Sequence, residues 1–369
     1  MAANSSKKPF DFLLFMTVLI LLCLGSIMVF SAGAPHANNV MGDTYHFIKK
    51  QLMYLPLAFL AMFVTMNIDY RKLGKWSPVF MVGSIALLVL VLIFGTEHNG
   101  AQRWIDLGVT EFQPSEIAKL AVILFFSYSL SKRKDEISSF FRGLFPYLLL
   151  LSVYGGLLIK QPHLSGTIVI FGVASIILFA AGAKIKHFVL LSFPAIAGLV
   201  VLIFAAPYRL KRLVSFIDPF KDIKGDGYQV VQSLYAIGSG GLFGRGLGKS
   251  MQKFLYIPEP YNDFIFSILA EEMGFIGVVA VLLLFLVFIW RGVKISVNAP
   301  DAFGSLVAIG ITSLIAIQVI INVAVVTSSM PVTGMPLPLF SHGGTSLIFL
   351  MSGIGILLNI SRYSNYDRI

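Results

Sequence analysis

The sequence predicts an all-α, polytopic membrane protein with about ten transmembrane helices, and three observations support this fold class. The chain has 369 residues, of which 57% are hydrophobic and 12% are charged, with a mean hydropathy of +0.84. Apolar runs long enough to cross a bilayer recur along its length, and basic residues cluster in alternate connections. Soluble domains carry about twice this share of charged residues. The composition excludes a water-soluble enzyme, a disordered protein and, with Cys23 as the only cysteine, a disulfide scaffold.

Ten apolar runs are the predicted membrane spans. The first follows Lys7 and Lys8, but its apolar core is longer than the roughly 7–15 residues of a signal peptide, so we predict a retained helix. The fourth is the shortest and contains Lys119, so we expect it to be packed inside the bundle. The runs are Phe12–Phe30, Leu52–Ile68, Trp76–Phe94, Ile117–Leu130, Leu144–Ile159, Thr167–Ala183, Phe188–Ala206, Phe264–Trp290, Phe303–Val326 and Thr345–Ile360.

The distribution of Lys and Arg predicts the orientation of the chain. With the N-terminus in the cytoplasm, the connections on that side hold fifteen of the 28 basic residues, and the short connections on the other side hold four. Long loops are left out of this rule. Both termini are therefore predicted to be cytoplasmic. The net charge of +10 follows from this topology and gives no evidence for a nucleic-acid partner.

The connection between the seventh and eighth spans, residues 207–263, is the longest and is predicted to be extracytoplasmic. No internal repeat is visible, so residues 1–369 are treated as one domain that includes this loop. Aromatic residues punctuate the loop, and we expect it to fold back on the membrane surface or into the bundle. Its glycine-rich stretch, residues 235–248, is either a cradle of N–H groups that binds a phosphate with Arg245 or a tight turn at the membrane surface. The spacing matches neither a Walker A motif nor a dinucleotide fingerprint.

Three acidic residues at the end of this loop and in the following span are candidates for chemistry. Asp263 stands at the predicted outer interface, where it is either a catalytic carboxylate or the N-cap of the next helix. Glu271 and Glu272 lie about 12 Å deeper. Acids within a span usually face an interior cavity or a partner. We expect these two to line a cavity, as part of a proton path, or to form a buried ion pair.

Basic residues near the same interface are candidates for binding an anion. Glu116 and Lys119 are spaced i and i+3 at the start of the fourth span, where they form a structural ion pair or a pocket for an anionic headgroup. Arg209, Lys211 and Arg212 follow the seventh span. They are either interfacial anchors or ligands of a phosphate-bearing lipid.

The segment between the ninth and tenth spans, residues 331–346, contains three prolines and a Gly-Gly pair. Irregular backbone at membrane depth persists only where protein or water satisfies its polar groups. We therefore predict a re-entrant segment that lines a cavity, with Ser341 and His342 on its wall. No metal site is predicted, because His342 has no second His, Cys or carboxylate at ligand spacing.

Six segments, in order and covering nearly the whole chain, resemble the SEDS (shape, elongation, division and sporulation) family of FtsW, RodA and SpoVE. The ten-helix count agrees with this family. Residues 252–260 and 331–338 look more like the FtsW/SpoVE branch than RodA. The six segments are Gly100–Gly108, Phe112–Leu120, Ala206–Arg212, Tyr228–Gly248, Lys253–Glu272 and Pro331–Ser346.

The resemblance implies a peptidoglycan glycosyltransferase that polymerises lipid II on the outer face of the bacterial cytoplasmic membrane, for cell division or sporulation. The essential aspartate of the family matches Asp263, which would take the proton of the acceptor sugar 4-hydroxyl as undecaprenyl diphosphate leaves. The residues expected to bind the substrate or its phosphates are Lys119, Glu116, Arg103, Arg209, Arg212 and Arg245. No cofactor is certain, and a divalent cation, Mg²⁺ or Mn²⁺, stays open. The implied partners are a class B penicillin-binding transpeptidase and proteins of the division or sporulation machinery.

The chain departs from the family pattern at two places on the face where the substrate is expected. The stretch 161–166 has His163 and Ser165 where the family usually has aspartate and glycine. The stretch 341–345 has His342 in place of tyrosine and Thr345 in place of serine. Both departures leave the assignment of Asp263 unchanged.

Two other functions stay open at this point. A flippase or transporter of a lipid-linked precursor would use the intramembrane charges as a polar path, although no inverted repeat is recognisable. A non-catalytic scaffold of a division or sporulation complex would need no active carboxylate. The sequence alone does not separate division, sporulation and elongation roles.

Overall fold

The computed structural model describes residues 8–98, 101–106, 108, 111–133, 136–204, 207–223, 225, 227–254, 256–258, 260–341 and 343–364. These residues form α-helices and three short strands. In chain order they are α1 (Phe12–Met41), α2 (His46–Asn67), α3 (Tyr70–Phe94), β1 (Thr96–His98), β2 (Ala101–Asp106), β3 (Glu111–Phe112), α4 (Pro114–Lys132), a π-helical turn (Phe140–Leu144), α5 (Phe145–Lys160), α6 (Leu164–Ala180), α7 (Ile185–Phe204), α8 (Pro207–Ile217), α9 (Tyr228–Gly240), α10 (Ile265–Val297), α11 (Ala302–Val326) and α12 (Gly344–Ser361).

All ten predicted spans fall on helices, which confirms the fold class. In the described part of the chain, eight helices are long and apolar enough to cross a membrane: α1, α2, α3, α5 with its π-helical turn, α7, α10, α11 and α12. The apolar helix α6 is shorter, with 17 residues. Helix α4 buries most of its residues, including Lys119. The expected position of the fourth span inside the bundle is therefore confirmed.

Acidic side chains and arginines join helix ends at one end of the bundle. Asp11 caps the start of α1 and pairs with Arg291, near the end of α10, at 2.5 Å. Asp301 caps the start of α11 and accepts a hydrogen bond from Arg71, at the start of α3, at 3.1 Å. The starts of α1, α3 and α11 thus share one end of the bundle with the end of α10. The start of α10, which follows Asp263, consequently lies at the opposite end.

A small antiparallel sheet in the order β1-β2-β3 connects α3 to α4. No strands were expected in this connection from the sequence. Arg103 on β2 donates hydrogen bonds to the main-chain carbonyls of Gln161 and Pro162. These bonds tie the sheet to the turn between α5 and α6.

Helix α10 is broken at Gly274 (φ 65°, ψ −169°), and residues 241–248, which we call the glycine turn, fit into the break. The N–H groups of Arg245 and Gly246 each donate at 3.0 Å to the carbonyls of Glu271 and Glu272 before the break. In return, two carbonyls of the glycine turn accept the first two N–H groups after the break, at 2.9 and 3.1 Å. The backbone groups that the break releases are thus satisfied by protein, as membrane depth requires.

This close approach requires glycine on both sides. A Cβ on Gly244 would lie 2.2 Å from the carbonyl oxygen of Glu272, and a Cβ on Gly274 would lie 2.2 Å from the nitrogen of Gly244. The break lies about 13 Å along α10 from its start, and the backbone of the turn packs against α10 there, while Leu242, Phe243 and Leu247 of the turn are exposed. The interpretation as a tight turn at the membrane surface stays a prediction. The N–H groups of Arg245 and Gly246 already donate to α10, so these two donors do not form part of a phosphate cradle. Phosphate binding by the other N–H groups of the turn and by the Arg245 side chain stays a prediction.

Candidate active site

Asp263 lies immediately before α10 and is half-buried. The helix begins at Ile265 and Phe264 occupies the N-cap position, so the N-cap interpretation of Asp263 is wrong. The main-chain carbonyl of Asp263 accepts a hydrogen bond of 2.8 Å from Asn322 Nδ2 on α11. The backbone that carries the candidate carboxylate is therefore fixed to a neighbouring helix.

Residues 331–341, which we call the proline segment, pass beside Asp263. Gly334 has φ +67°, and a Cβ at this position would lie 3.3 Å from Asp263 Oδ2. The backbone at Gly334 therefore lies against the carboxylate. Leu337 and Phe340 are fully buried and anchor the segment in the bundle. This burial agrees with the prediction of a segment that enters the protein at membrane depth.

A cleft lies between α4, α11, α12 and the proline segment. Residues 336–339 and Ser341 form part of its wall, so the predicted position of Ser341 on a cavity wall is confirmed. His342 lies outside the described residues. Asp263 is not among the lining residues, but the proline segment contacts its carboxylate at Gly334 and lines the cleft two residues later. The proline segment thus contacts both the Asp263 carboxylate and the cleft.

Lys119 and Glu116 line this cleft and form an ion pair with an N–O distance of 2.7 Å. Of the two interpretations of these residues, the ion pair is confirmed. The side chains are 6% and 15% exposed, so little water screens the pair. An ammonium group has three N–H donors and a carboxylate can occupy only some of them. Binding of an anionic headgroup by Lys119 stays a prediction.

The four predicted phosphate-binding arginines do not line the cleft among the described residues. Arg209 donates to the carbonyl of Leu202 at the end of α7, at 2.9 Å. Arg212 donates to the carbonyl of Val332 in the proline segment, at 3.2 Å. Arg245 Nε lies 3.7 Å from the carboxylate of Glu271. Arg103 binds the turn between α5 and α6, as described above. Phosphate binding by these side chains stays a prediction.

Glu271 and Glu272 are fully buried and do not line the cleft, which corrects the prediction that they face a cavity. Glu272 pairs with Lys253 at 2.9 Å and accepts a hydrogen bond from Ser31 of α1 at 2.7 Å. Glu271 accepts hydrogen bonds from the Ser250 hydroxyl and from two main-chain N–H groups after the glycine turn. The alternative of a buried ion pair is confirmed for Glu272.

His163, one of the departures from the family pattern, is buried beside the start of α4. Its Nε2 lies 3.4 Å from Ser115 Oγ, and its Nδ1 has no hydrogen-bond partner among the described residues. Burial, with Arg103 and Lys119 nearby, lowers the pKa of His163 to about 3. The imidazole is therefore neutral at physiological pH.

Two residues, Asn322 and Lys253, were not predicted from the sequence to have a role. Both are buried, and each joins segments that are distant in sequence. An amide within an apolar span is costly unless its polar atoms are used. This cost could have identified Asn322 from the sequence as a residue with a buried polar partner. For Lys253, only the three-dimensional pairing with Glu272 identifies a role.

Among the described residues, no group of three or more His, Cys, Asp or Glu side chains is placed to hold a metal ion. A divalent cation, Mg²⁺ or Mn²⁺, stays an open expectation.

Comparison with known proteins identifies relatives of this chain. The FtsW/RodA/SpoVE family, described as cell cycle proteins, matches residues 11–366. Stage V sporulation protein E of Bacillus subtilis (strain 168) is 48% identical over 365 residues, which cover 98% of this chain and 100% of that protein. A probable peptidoglycan glycosyltransferase FtsW of Geobacter sp. (strain M18) is 40% identical and covers 96% of this chain and 97% of its own length.

Solved structures give the same result. A chain of a peptidoglycan synthase complex, described as showing structural coordination of polymerization and crosslinking, superposes with a TM-score of 0.80 at 32% identity, covering 97% of this chain and 99% of that one. The rod shape determining protein RodA of Thermus thermophilus superposes with a TM-score of 0.70 at 30% identity, covering 96% and 98%. With sequence and structure in agreement over nearly the full length, this chain belongs to the FtsW/RodA/SpoVE family and falls in its FtsW/SpoVE branch.

Proposed function

We propose that this chain is a peptidoglycan glycosyltransferase that polymerises lipid II into glycan strands for cell division or sporulation. Its relatives carry the names of a sporulation protein and of probable peptidoglycan glycosyltransferases, and its fold matches a chain of a peptidoglycan synthase complex. The observation that carries the proposal is the half-buried carboxylate of Asp263. The main-chain carbonyl of Asp263 is held by Asn322 of α11, and the carboxylate lies against the proline segment that also lines the cleft.

The proposed reaction uses Asp263 as a general base. Asp263 accepts the proton of the acceptor sugar 4-hydroxyl, and the hydroxyl oxygen forms a bond to C1 of the donor sugar. The bond from C1 to the diphosphate oxygen breaks, and undecaprenyl diphosphate leaves with the electron pair. A base must lie within hydrogen-bond reach of the proton that it takes. Because the backbone of Asp263 is fixed, its carboxylate can stay within this distance of the acceptor hydroxyl.

Cations close to the diphosphate would stabilise the negative charge that develops as it leaves. Lys119 faces the cleft, and Arg212 contacts the proline segment. We propose these two as the first candidates among the predicted phosphate ligands. The carboxylate of Glu116, paired with Lys119, fixes the direction of the ammonium group. A divalent cation brought by the diphosphate stays an open expectation.

The chain is a multi-pass membrane protein, and we propose that both termini are cytoplasmic in the bacterial cell membrane. The excess of basic residues in one set of connections, fifteen against four, supports this orientation. It places Asp263 and residues 207–263 outside, where lipid II is polymerised. We also propose a class B penicillin-binding protein as partner, within division or sporulation complexes. The match to a synthase complex supports that pairing.

Lipid II supplied to the purified protein in detergent tests the function against both alternatives. A polymerase lengthens glycan chains that a gel resolves, whether or not a membrane separates two compartments. A flippase or a scaffold leaves the lipid II unpolymerised. Absence of glycan both alone and with the cognate penicillin-binding protein would overturn the proposal.

A further inference from the structure

We infer that Asn322 is a positioning residue for catalysis, which holds Asp263 in register with the wall of the cleft. This inference rests on the proposed function. Asn322 lies in the last third of α11 and has no solvent exposure. Its Nδ2 donates two hydrogen bonds of 2.8 Å, one to the main-chain carbonyl of Asp263 and one to that of Met335.

These two bonds use both N–H donors of the amide. One side chain therefore joins two segments that are distant in sequence, the residue before α10 and the proline segment. Met335 directly follows Gly334, whose backbone lies against the carboxylate of Asp263. It directly precedes residues 336–339, which line the cleft. Asn322 thus fixes the backbone of the carboxylate and the backbone of the wall at the same point.

The polar amide of Asn322 is better explained by a positioning role than by a role in packing alone. An apolar residue of similar size would fill the same space without burying polar atoms in a membrane span. Asn322 Oδ1 is buried and has no hydrogen-bond partner among the described residues. The reverse orientation of the amide would direct this oxygen at two carbonyl oxygens. The two donors are therefore the part of the amide that the site uses.

Loss of the donors would remove the hydrogen bonds from Asn322 to both carbonyls and release the Asp263 backbone from the proline segment. A displacement of the reacting group by about 1 Å can lower the rate by up to about 100-fold. Binding of lipid II depends on a larger surface than this contact. We therefore expect a lower kcat with little change in KM.

Steady-state polymerisation of lipid II by purified variants tests this expectation. Asn322→Leu removes both donors, and Asn322→Asp keeps at most one O–H donor when its buried carboxyl is protonated. For both variants kcat per folded molecule is expected to fall about 10- to 100-fold while KM changes less than about twofold. Asn322→Gln keeps both donors on a longer side chain and is expected to retain more of kcat than either. Size-exclusion chromatography gives the folded fraction, so Asn322→Asp decides the result if Asn322→Leu does not fold.

Asn359 on α12 provides a matched control. It is equally buried, its Nδ2 donates to the carbonyl of Met66 at 2.6 Å, and it accepts a hydrogen bond from the N–H of Tyr70. Asn359→Leu is expected to lower the melting temperature and to keep kcat per folded molecule. Equal losses of kcat in the Asn322 and Asn359 variants, or a full kcat in Asn322→Leu, would overturn the inference alone. A wild-type protein that makes no glycan would overturn the proposed function together with it.

Discussion

The position of Asp263 depends on contacts made by single atoms of its neighbours. Gly334 has no side chain, and this absence leaves room for Asp263 Oδ2, since a Cβ would approach it to 3.3 Å. The positive φ of +67° at Gly334 is itself unfavourable for any other residue. A substitution at Gly334 can therefore displace the Asp263 carboxylate without changing Asp263 itself.

Gly334→Ala is expected to lower kcat for lipid II polymerisation by about tenfold or more, because its methyl group crowds the carboxylate and shifts it from the reacting hydroxyl. Gly42 is a matched control, since it has the same φ of +67° and nothing within 4 Å of a Cβ. Both variants should lose about 1–2 kcal/mol of stability from the left-handed backbone. The prediction is wrong if the two variants show the same kcat.

His163 gives a pH-dependent prediction. The folded imidazole has a pKa of about 3, against 6.5 for the ordinary side chain, so between these values the unfolded chain binds more protons. Stability contributed by His163 is complete above about pH 6.5 and declines as the pH falls toward 3. From pH 7 to pH 5 we expect a loss of about 2 kcal/mol from this group. Thermal unfolding in detergent should show a smaller loss in His163→Gln, and equal losses in both proteins would refute the assignment.

At the scale of elements, the break in α10 is held by a buried network. Lys253 and Glu272 are 4% and 0% exposed, and Ser31 of α1 contacts both side chains, at 3.0 and 2.7 Å. The network joins α1, the chain after the glycine turn and the half of α10 that begins beside Asp263. Its expected effect is to keep this half-helix in one position.

Removal of one charge from this pair should destabilise the fold by about 3–5 kcal/mol, because the other charge is left buried without a partner. Lys253→Met and Glu272→Gln are the single variants, and the double variant with methionine at both positions should recover much of the loss. Glu136→Gln is the control, since its pair with Arg133 is about half exposed at 4.0 Å. That pair should contribute less than about 1 kcal/mol. Thermal unfolding that shows additive losses in the double variant would contradict this account.

The sequence predicted the helices of this molecule better than their contacts. Length and hydropathy are local properties, so all ten spans and the buried position of the Lys119 helix could be read from the chain. The position of the glycine turn could not be predicted from the sequence, because it depends on the break of α10 at Gly274. A single glycine in an apolar span is not enough to predict a break. Glu271 and Glu272 were recognised as costly, but their partners lie on other segments.

At the scale of the whole molecule, the candidate site is assembled from segments that are distant in the chain. Asp263 was identified through resemblance, and the Lys119–Glu116 pair through its spacing on one helix. Asn322 and Gly334 join the site only because α11 and the proline segment pack against the start of α10. Long-range packing of this kind has no signature in local sequence, which is why the carboxylate was predicted and its supports were not.

The central claim is that one carboxylate before α10 drives glycan polymerisation, and Asp263→Asn tests it most directly. This change keeps the shape of the side chain and removes the base, so kcat on lipid II is expected to fall about 10²- to 10⁴-fold. Asp218→Asn makes the same chemical change at an exposed position just after α8 and should keep the wild-type rate. A folded Asp263→Asn protein that makes glycan as fast as Asp218→Asn would contradict the account.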